Sequence, residues 1–129
     1  MARIPIVRIR NTLVATFQKD LYDRDALDLQ SSLNDLLERT GCDGVLLDMS
    51  MVETVDSFLG RMINDVAQGA RLLGAHTVVV GLQPAVAITL VELGLELPGV
   101  HTALDVERGL VRLQRIRAAG ARQGSGRAR

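Results

Sequence analysis

The chain has 129 residues, of which 47% are hydrophobic, and its formal net charge at neutral pH is zero. This length suits one domain rather than two, and it provides enough apolar surface for a core without a metal or a disulfide. Aromatic residues make up only 2% of the chain, and with a balanced charge this disfavours nucleic-acid binding, because few rings are present for bases to stack on.

The cysteine content and the pattern of hydropathy bear on the compartment. Cys42 is the single cysteine and has no partner for an internal disulfide, and the first residues lack the long apolar segment of a secretion signal. The most apolar region, residues 77–100, is interrupted by Gln83, Glu92 and prolines, so we predict no membrane span. These observations favour a protein of the reducing cytoplasm.

The first part of the chain predicts a hairpin, a helix and a buried strand. Residues 4–9 and 12–17 have the composition of strands and are separated by only two residues, which favours antiparallel pairing. A helical spacing of apolar residues follows and stops at Gly41. The continuous apolar run 45–47 is typical of a central strand covered on both faces, and it ends at Asp48.

A second helix is predicted from the spacing of its apolar residues, which are Leu59, Met62, Ile63, Val66, Ala70 and Leu73. It ends near Gly74, and Ser57 lies in or just before its first turn. Either Asp56 or Ser57 suits the N-cap position. Backbone N–H groups in this turn have no partner within the helix and carry the positive end of its dipole, so they can also receive an anion.

The last part of the chain alternates between strand and helix. We predict a buried strand at 78–80, a helix from Pro84 to Leu93, a short strand near 102–104 and a helix from Asp105 with Val106, Leu110 and Leu113 facing inward. The helix after Pro84 is apolar nearly all round, which is consistent either with burial or with contact to another subunit. Residues 119–129 are rich in glycine and arginine, and we predict a disordered tail outside a domain of residues 1–118.

These elements predict an α/β fold with one mixed β-sheet, opened by an N-terminal hairpin and covered by about four helices. No catalytic residues, cofactor or metal site are predicted, since His76, His101 and Cys42 do not stand at ligand-like spacings and no glycine-rich phosphate loop or nucleophile elbow is present. One alternative is a receiver-like phosphoacceptor at Asp48. It lacks the acidic pair and the lysine that such domains require, so Asp48 is predicted to brace its loop by accepting backbone N–H bonds.

Four segments of the chain together resemble the STAS family of anti-sigma-factor antagonists, and within it the single-domain scaffold proteins of bacterial stressosomes. They are residues 55–58 (Val-Asp-Ser-Phe), 72–75 (Leu-Leu-Gly-Ala), 81–94 (beginning Gly-Leu-Gln-Pro) and 102–105 (Thr-Ala-Leu-Asp). The resemblance runs from about residue 4 to residue 117 and is most specific over 81–94.

The resemblance implies a STAS fold and a non-enzymatic scaffold that co-assembles with RsbR-like STAS proteins into a large cytoplasmic hetero-oligomer. Such a scaffold holds an RsbT-like serine kinase, releases it on being phosphorylated by it, and is reset by a phosphatase. The position matching the phosphorylated serine is Ser57, with Asp56 before it. A free-standing antagonist that binds an anti-sigma kinase outside any stressosome is the alternative within the same family.

Two groups of residues are expected to support this function. Asp48, Glu53 and Asp56 are expected to support the switch loop and to make its surface acidic, so that a phosphate on Ser57 repels an acidic partner. The expected partner interface comprises Phe58, Arg61, Pro84, Val86 and Leu90. On the pattern of residues alone, Ser57 is also consistent with a purely structural helix cap.

Overall fold

The computed structural model describes residues 4–19, 22–94, 97 and 99–127, with side chains as far as Gly120. The strands are β1 (Ile6–Ile9), β2 (Thr12–Thr16), β3 (Gly44–Asp48), β4 (His76–Val80) and β5 (Val100–Ala103). The helices are α1 (Asp23–Thr40), α2 (Ser57–Leu72), α3 (Pro84–Glu92) and α4 (Val106–Arg127). The predicted mixed α/β fold is confirmed.

The five strands lie in the sheet in their sequence order, with β1 antiparallel to β2 and the other pairs parallel. Each of α1, α2 and α3 connects one parallel strand to the next. These crossovers always step in the same direction, and their right-handed connection is the rule for such units, so all three helices fall on one face of the sheet, where they share one core. The opposite face is covered by α4.

The larger core lies between the sheet and helices α1, α2 and α3. Its fully buried side chains include Phe17, Leu33, Leu47, Met49 and Ile63. Leu73, which was predicted to face inward, is instead 41% exposed at the end of α2, where the chain leaves the helical path.

The smaller core lies under α4 and contains Val14, Leu46, Val78, Val80 and Leu113, with Val106 and Leu110 packed against it, as predicted. Gly109 lets α4 approach the sheet closely, because a Cβ at this position would lie 2.7 Å from Val80 Cγ1 and 2.8 Å from Leu46 Cδ1. The guanidinium of Arg117 also holds the helix in place, with Nε and Nη2 donating to the two carboxylate oxygens of Asp43 at 2.7 and 2.5 Å.

The structure differs from the predicted tail over residues 119–127. The backbone of α4 is helical through Arg127, and residues 128–129 lie outside the described part of the chain. Three glycines and a serine give this stretch a low helix propensity, so its backbone continues a helix that is already nucleated and packed upstream. The boundary of the domain at residue 118 stays a prediction.

Candidate functional site

The loop between β3 and α2 begins with a braced turn. The Oδ1 atom of Asp48 accepts a hydrogen bond from the backbone N–H of Ser50 at 3.0 Å, as the sequence predicted for this carboxylate. The next residue of the chain after β3, Met49, is fully buried, and its N–H donates to the carbonyl of Val80 at 2.9 Å. Val52 is 4% exposed, so the first half of the loop is anchored in the core.

The second half of the loop leads into the N-terminus of α2. Asp56 is the N-cap, with extended backbone angles, and its Oδ1 accepts a hydrogen bond from the N–H of Leu59 at 2.9 Å. Ser57 is the first helical residue, and its side chain is exposed. The structure thus decides between the two candidate caps. Because Asp56 caps the helix, the Ser57 hydroxyl is not needed for that role and faces solvent beside the free N–H groups of the first turn.

The connection between β4 and α3 supports the loop from the side. Gly81 has φ of +72°, and a Cβ built on it would lie 2.9 Å from the Cβ of Ser50 and 3.1 Å from its Cα and N. The side-chain amide of Gln83 donates to the carbonyl of Ser50 at 3.0 Å. Ser50, Gly81 and Gln83 were not among the residues predicted to form the site. Gly81 and Gln83 stand at the start of segment 81–94, which carries the most specific resemblance to the STAS family. That resemblance was the signal in the sequence that could have identified them as residues of the site.

The surface around Ser57 is less acidic than predicted. Glu53 forms an ion pair with Lys19, with 3.6 Å between Nζ and Oε1, and both side chains are more than half exposed. Asp48 is partly buried and directed at its own loop. A cavity of about 260 Å³ lies beside the loop and is lined in part by Lys19, Tyr22, Asp56 and Phe58. Of the three predicted carboxylates, Asp56 directly precedes Ser57 in the chain, and it forms no ion pair with another described residue. Asp56 is therefore the carboxylate that contributes most to the negative charge beside Ser57.

The predicted partner interface is only partly accessible. Arg61 and Pro84 are exposed, and Phe58 is half-buried against the core. Val86 and Leu90 are 1% and 5% exposed, respectively, and belong to the core, so including them in the interface was wrong. The apolar surface of α3 faces both the sheet and solvent, and sequence pattern alone could not distinguish the two sides. Its large exposed apolar side chains are Ile88 and Val91.

Two histidines that are distant in sequence come together at the β4–β5 edge. The rings of His76 and His101 lie 6.4 Å apart between centroids, with an interplanar angle of 66°. Partial burial lowers the pKa of His101 below its ordinary value of 6.5, and the positive charge of Arg112 and the neighbouring His76 lower it further. Within the described part of the chain, no group of three or more His, Cys, Asp or Glu side chains is placed to hold a metal ion.

The arrangement as a whole offers an exposed hydroxyl at a helix N-terminus on a loop fixed from both sides. The hydroxyl can accept a phosphoryl group from outside, and the helix N–H groups can stabilise the product. Asp48 is engaged in bracing its turn rather than standing free as a phosphoacceptor. No helix among the described residues has the length and apolar character to cross a membrane.

Comparison with solved structures places this geometry among stressosome proteins. The chain is 33% identical to a Moorella thermoacetica RsbS carrying a serine-to-glutamate substitution, with a TM-score of 0.79 over 90% of this chain and 98% of that one. It is 35% identical to a chain in a solved structure that describes the molecular architecture of the stressosome, a signal integration and transduction hub. That match has a TM-score of 0.76 and covers 87% of this chain and 97% of the other.

A curated relative and a family model extend the comparison. A 66-residue segment is 33% identical to the RsbT co-antagonist protein RsbRA of Bacillus subtilis (strain 168), covering 51% of this chain and 24% of that protein, so the match spans about a quarter of the relative's length. The model of the STAS domain matches residues 3–108. With its mixed sheet, its capped α2 and these matches, the chain belongs to the STAS domain family.

Proposed function

We propose that this protein is an RsbS-type stressosome scaffold that holds an RsbT-type serine kinase and releases it when Ser57 is phosphorylated. The observation that carries the proposal is the exposed hydroxyl of Ser57 at the first position of α2, in a helix already capped by Asp56. The match to RsbS supports it because it covers 98% of that chain, whereas the match to RsbRA covers 24% of that protein.

The proposed switch works through charge. A phosphate adds nearly two negative charges at a position where the chain presents a single hydroxyl. At a separation of about 5 Å and an effective dielectric constant near 20, each pair of like unit charges across an interface costs roughly 3 kcal/mol before screening. A loss of this size weakens binding by at least about tenfold.

The fold should tolerate the same phosphate. The positive end of the α2 dipole and the free N–H groups of its first turn offset part of the added charge. The loop before Ser57 is held by Met49, Asp48 and Gln83 through bonds that do not involve the hydroxyl. Phosphorylation is therefore expected to change binding more than stability.

The partners follow from the same proposal. RsbR-like STAS proteins would co-assemble with this chain in a large cytoplasmic hetero-oligomer, and a separate phosphatase would reset Ser57. The chain itself would act without enzymatic activity or cofactor. The exposed residues Arg61 and Pro84, together with the half-buried Phe58, stay in the proposed partner surface.

The proposal is tested by incubating the protein with an RsbT-type kinase, ATP and Mg²⁺ and locating the phosphate by mass spectrometry. Wild type should carry phosphate on Ser57, and Ser57→Ala should carry none. Ser50→Ala is the matched control, because Ser50 is an exposed serine of the loop that precedes α2 and its loss should leave labelling intact. Phosphate on Asp48, recognised by its loss in hydroxylamine, or on any residue that persists in Ser57→Ala would contradict the assignment.

The free-standing antagonist is separated from the scaffold by size. Mixing this chain with an RsbR-like partner and measuring mass by light scattering should yield a particle much larger than either protein. A mixture that elutes as the separate components would favour an antagonist that acts outside a stressosome.

A further inference from the structure

Helices α1 and α4, which lie on opposite faces of the sheet, carry opposite net charges, although the net charge of the chain is zero. Helix α1, on the face of the larger core, carries five carboxylates and two arginines. Helix α4, on the other face, has one glutamate and six arginines in its sequence. Two oppositely charged faces on one molecule can attract each other between copies, and such attraction is strongest at low salt.

The acidic face also presents an apolar side chain. Leu27 projects from the outer side of α1 and is 59% exposed. Asp23 lies one turn before it and Asp28 directly follows it, and both are exposed. Arg24 is the one positive charge in this turn. An exposed leucine among carboxylates is suited to a partner that offers an apolar depression with a basic rim.

A depression of this kind lies between β5 and α4. It has a volume of about 850 Å³, and Val111 and Ile116 contribute apolar surface to it. Arg108, Arg112 and Arg115 lie along its wall at spacings of one helical turn, and they outnumber the two carboxylates of the lining, Asp105 and Glu107. Nη1 of Arg108 is held by Asp105 at 2.9 Å, whereas Arg112 and Arg115 form no ion pair with any residue whose side chain is described.

We propose that copies of this chain associate head to tail, with Leu27 and the acidic face of α1 in one copy seated in the arginine-lined groove between β5 and α4 of the next. The two contacting surfaces are different and lie on opposite faces of the sheet. The contact is therefore heterologous, and an open assembly keeps one free α1 face at one end and one free groove at the other, so that addition continues until a ring closes or a chain of copies forms. This inference concerns contacts among copies, and its test does not require phosphorylation of Ser57.

A charge-swap experiment tests it. Sedimentation velocity of the full chain at about 50 mM and about 500 mM salt compares Debye lengths of roughly 14 and roughly 4 Å. Wild type should associate at low salt and dissociate at high salt. Arg112→Glu/Arg115→Glu should be monomeric under both conditions, and so should Asp23→Arg/Asp28→Arg, with association weakened at least about tenfold in each.

Mixing the two variants provides the decisive measurement. Each groove then meets an α1 surface of opposite charge, so the mixture should recover association although neither variant associates alone, and recovery also shows that both variants are folded. Arg8→Glu/Arg10→Glu is the matched control for the arginine variant, since it makes the same change in net charge at two exposed positions of β1 and its turn and should associate like wild type.

Three results would overturn the proposal. They are a wild type that stays monomeric at low salt, a mixture that stays monomeric, and a loss of association in the hairpin control. If wild type stays monomeric but Arg112→Glu/Arg115→Glu loses binding to an RsbR-like protein, the groove belongs to that partner and the contact between copies is rejected.

Discussion

The side-chain amide of Gln83 donates a hydrogen bond to the main-chain carbonyl of Ser50 across 3.0 Å, joining two loops that are 33 residues apart in sequence. Gly81 brings the same loops into backbone contact. The loop that leads to Ser57 is therefore positioned by the β4–α3 connection as well as by its own strand. This gives the segment 81–94 a physical role in the candidate site that its sequence resemblance alone did not explain.

Replacing Gly81 with alanine should destabilise the protein by about 2 to 4 kcal/mol. The left-handed backbone conformation costs roughly 1 to 2 kcal/mol for a residue with a Cβ, and the contact with Ser50 adds a similar strain. Urea unfolding gives the free energy. Gly74→Ala is the matched control, because Gly74 also has a positive φ but has nothing within 4 Å of a built Cβ. Equal losses in the two variants would mean that the close approach to Ser50 contributes nothing.

Replacing Asp56 with alanine should lower the free energy of unfolding by about 1 kcal/mol, because the N–H of Leu59 loses its capping acceptor. Asp56→Asn keeps an acceptor oxygen and should lose less, with the difference reflecting the interaction of the charge with the helix dipole. Chemical denaturation of the two variants measures both effects. If Asp56→Ala unfolds like wild type, the cap observed in the structure does not stabilise α2.

Ser57→Asp should change the thermal midpoint by less than about 3 °C, since the exposed side chain adds a negative charge at a favourable helix end. The same variant should bind an RsbT-type kinase more weakly than wild type, as measured by titration calorimetry. Ser57→Asn, similar in size but neutral, is the control and should bind like wild type. A large drop in the midpoint would indicate that Ser57 has a structural role.

The lowered pKa of His101 predicts a dependence of stability on pH. The unfolded chain binds the His101 proton more tightly than the folded protein does. The free energy of unfolding should therefore be highest at about pH 7.5 and should decrease as the pH falls through the ordinary pKa of histidine toward the lowered pKa of His101. His101→Gln should reduce this decrease in urea unfolding between about pH 7.5 and 5.5. His76→Gln should keep most of it, since burial of His101 is the largest cause. An unchanged slope in His101→Gln would contradict the assignment.

The order and type of the elements could be predicted because local signals marked both ends of most of them. Gly41 ends α1 in the left-handed conformation, and Pro84 begins α3 as expected. The strand 45–47 was predicted as central, and β3 lies between β2 and β4. These features depend on residues close in sequence, so spacing alone was sufficient to find them.

What could not be predicted depends on residues far apart in sequence. The ion pair of Arg117 with Asp43 spans 74 residues, and the approach of His76 to His101 depends on the pairing of β4 with β5. The burial of Val86 and Leu90 depends on which side of α3 meets the sheet. Helical spacing does not contain this information when the helix is apolar nearly all round.

The exposure of Ser57 could be anticipated, but its relation to Asp56 could not. Both residue types suit an N-cap, and the choice rests on one bond from Leu59. The sequence also predicted a more acidic surface than the structure has, because the pairing of Glu53 with Lys19 joins two loops that are separated by α1 and β3. In both cases the residue type could be interpreted from the sequence, but the residue that it pairs with could not be predicted.

Among the described elements, α4 is the only cover of one sheet face, and it is also the last to be synthesised. Until Leu113 has left the ribosome, the side chains of Val14, Leu46, Val78 and Val80 have no helix to pack against, although the other face can already close. Any delay in the docking of α4 during translation would leave these apolar side chains exposed, and apolar surface exposed in this way favours aggregation of nascent chains.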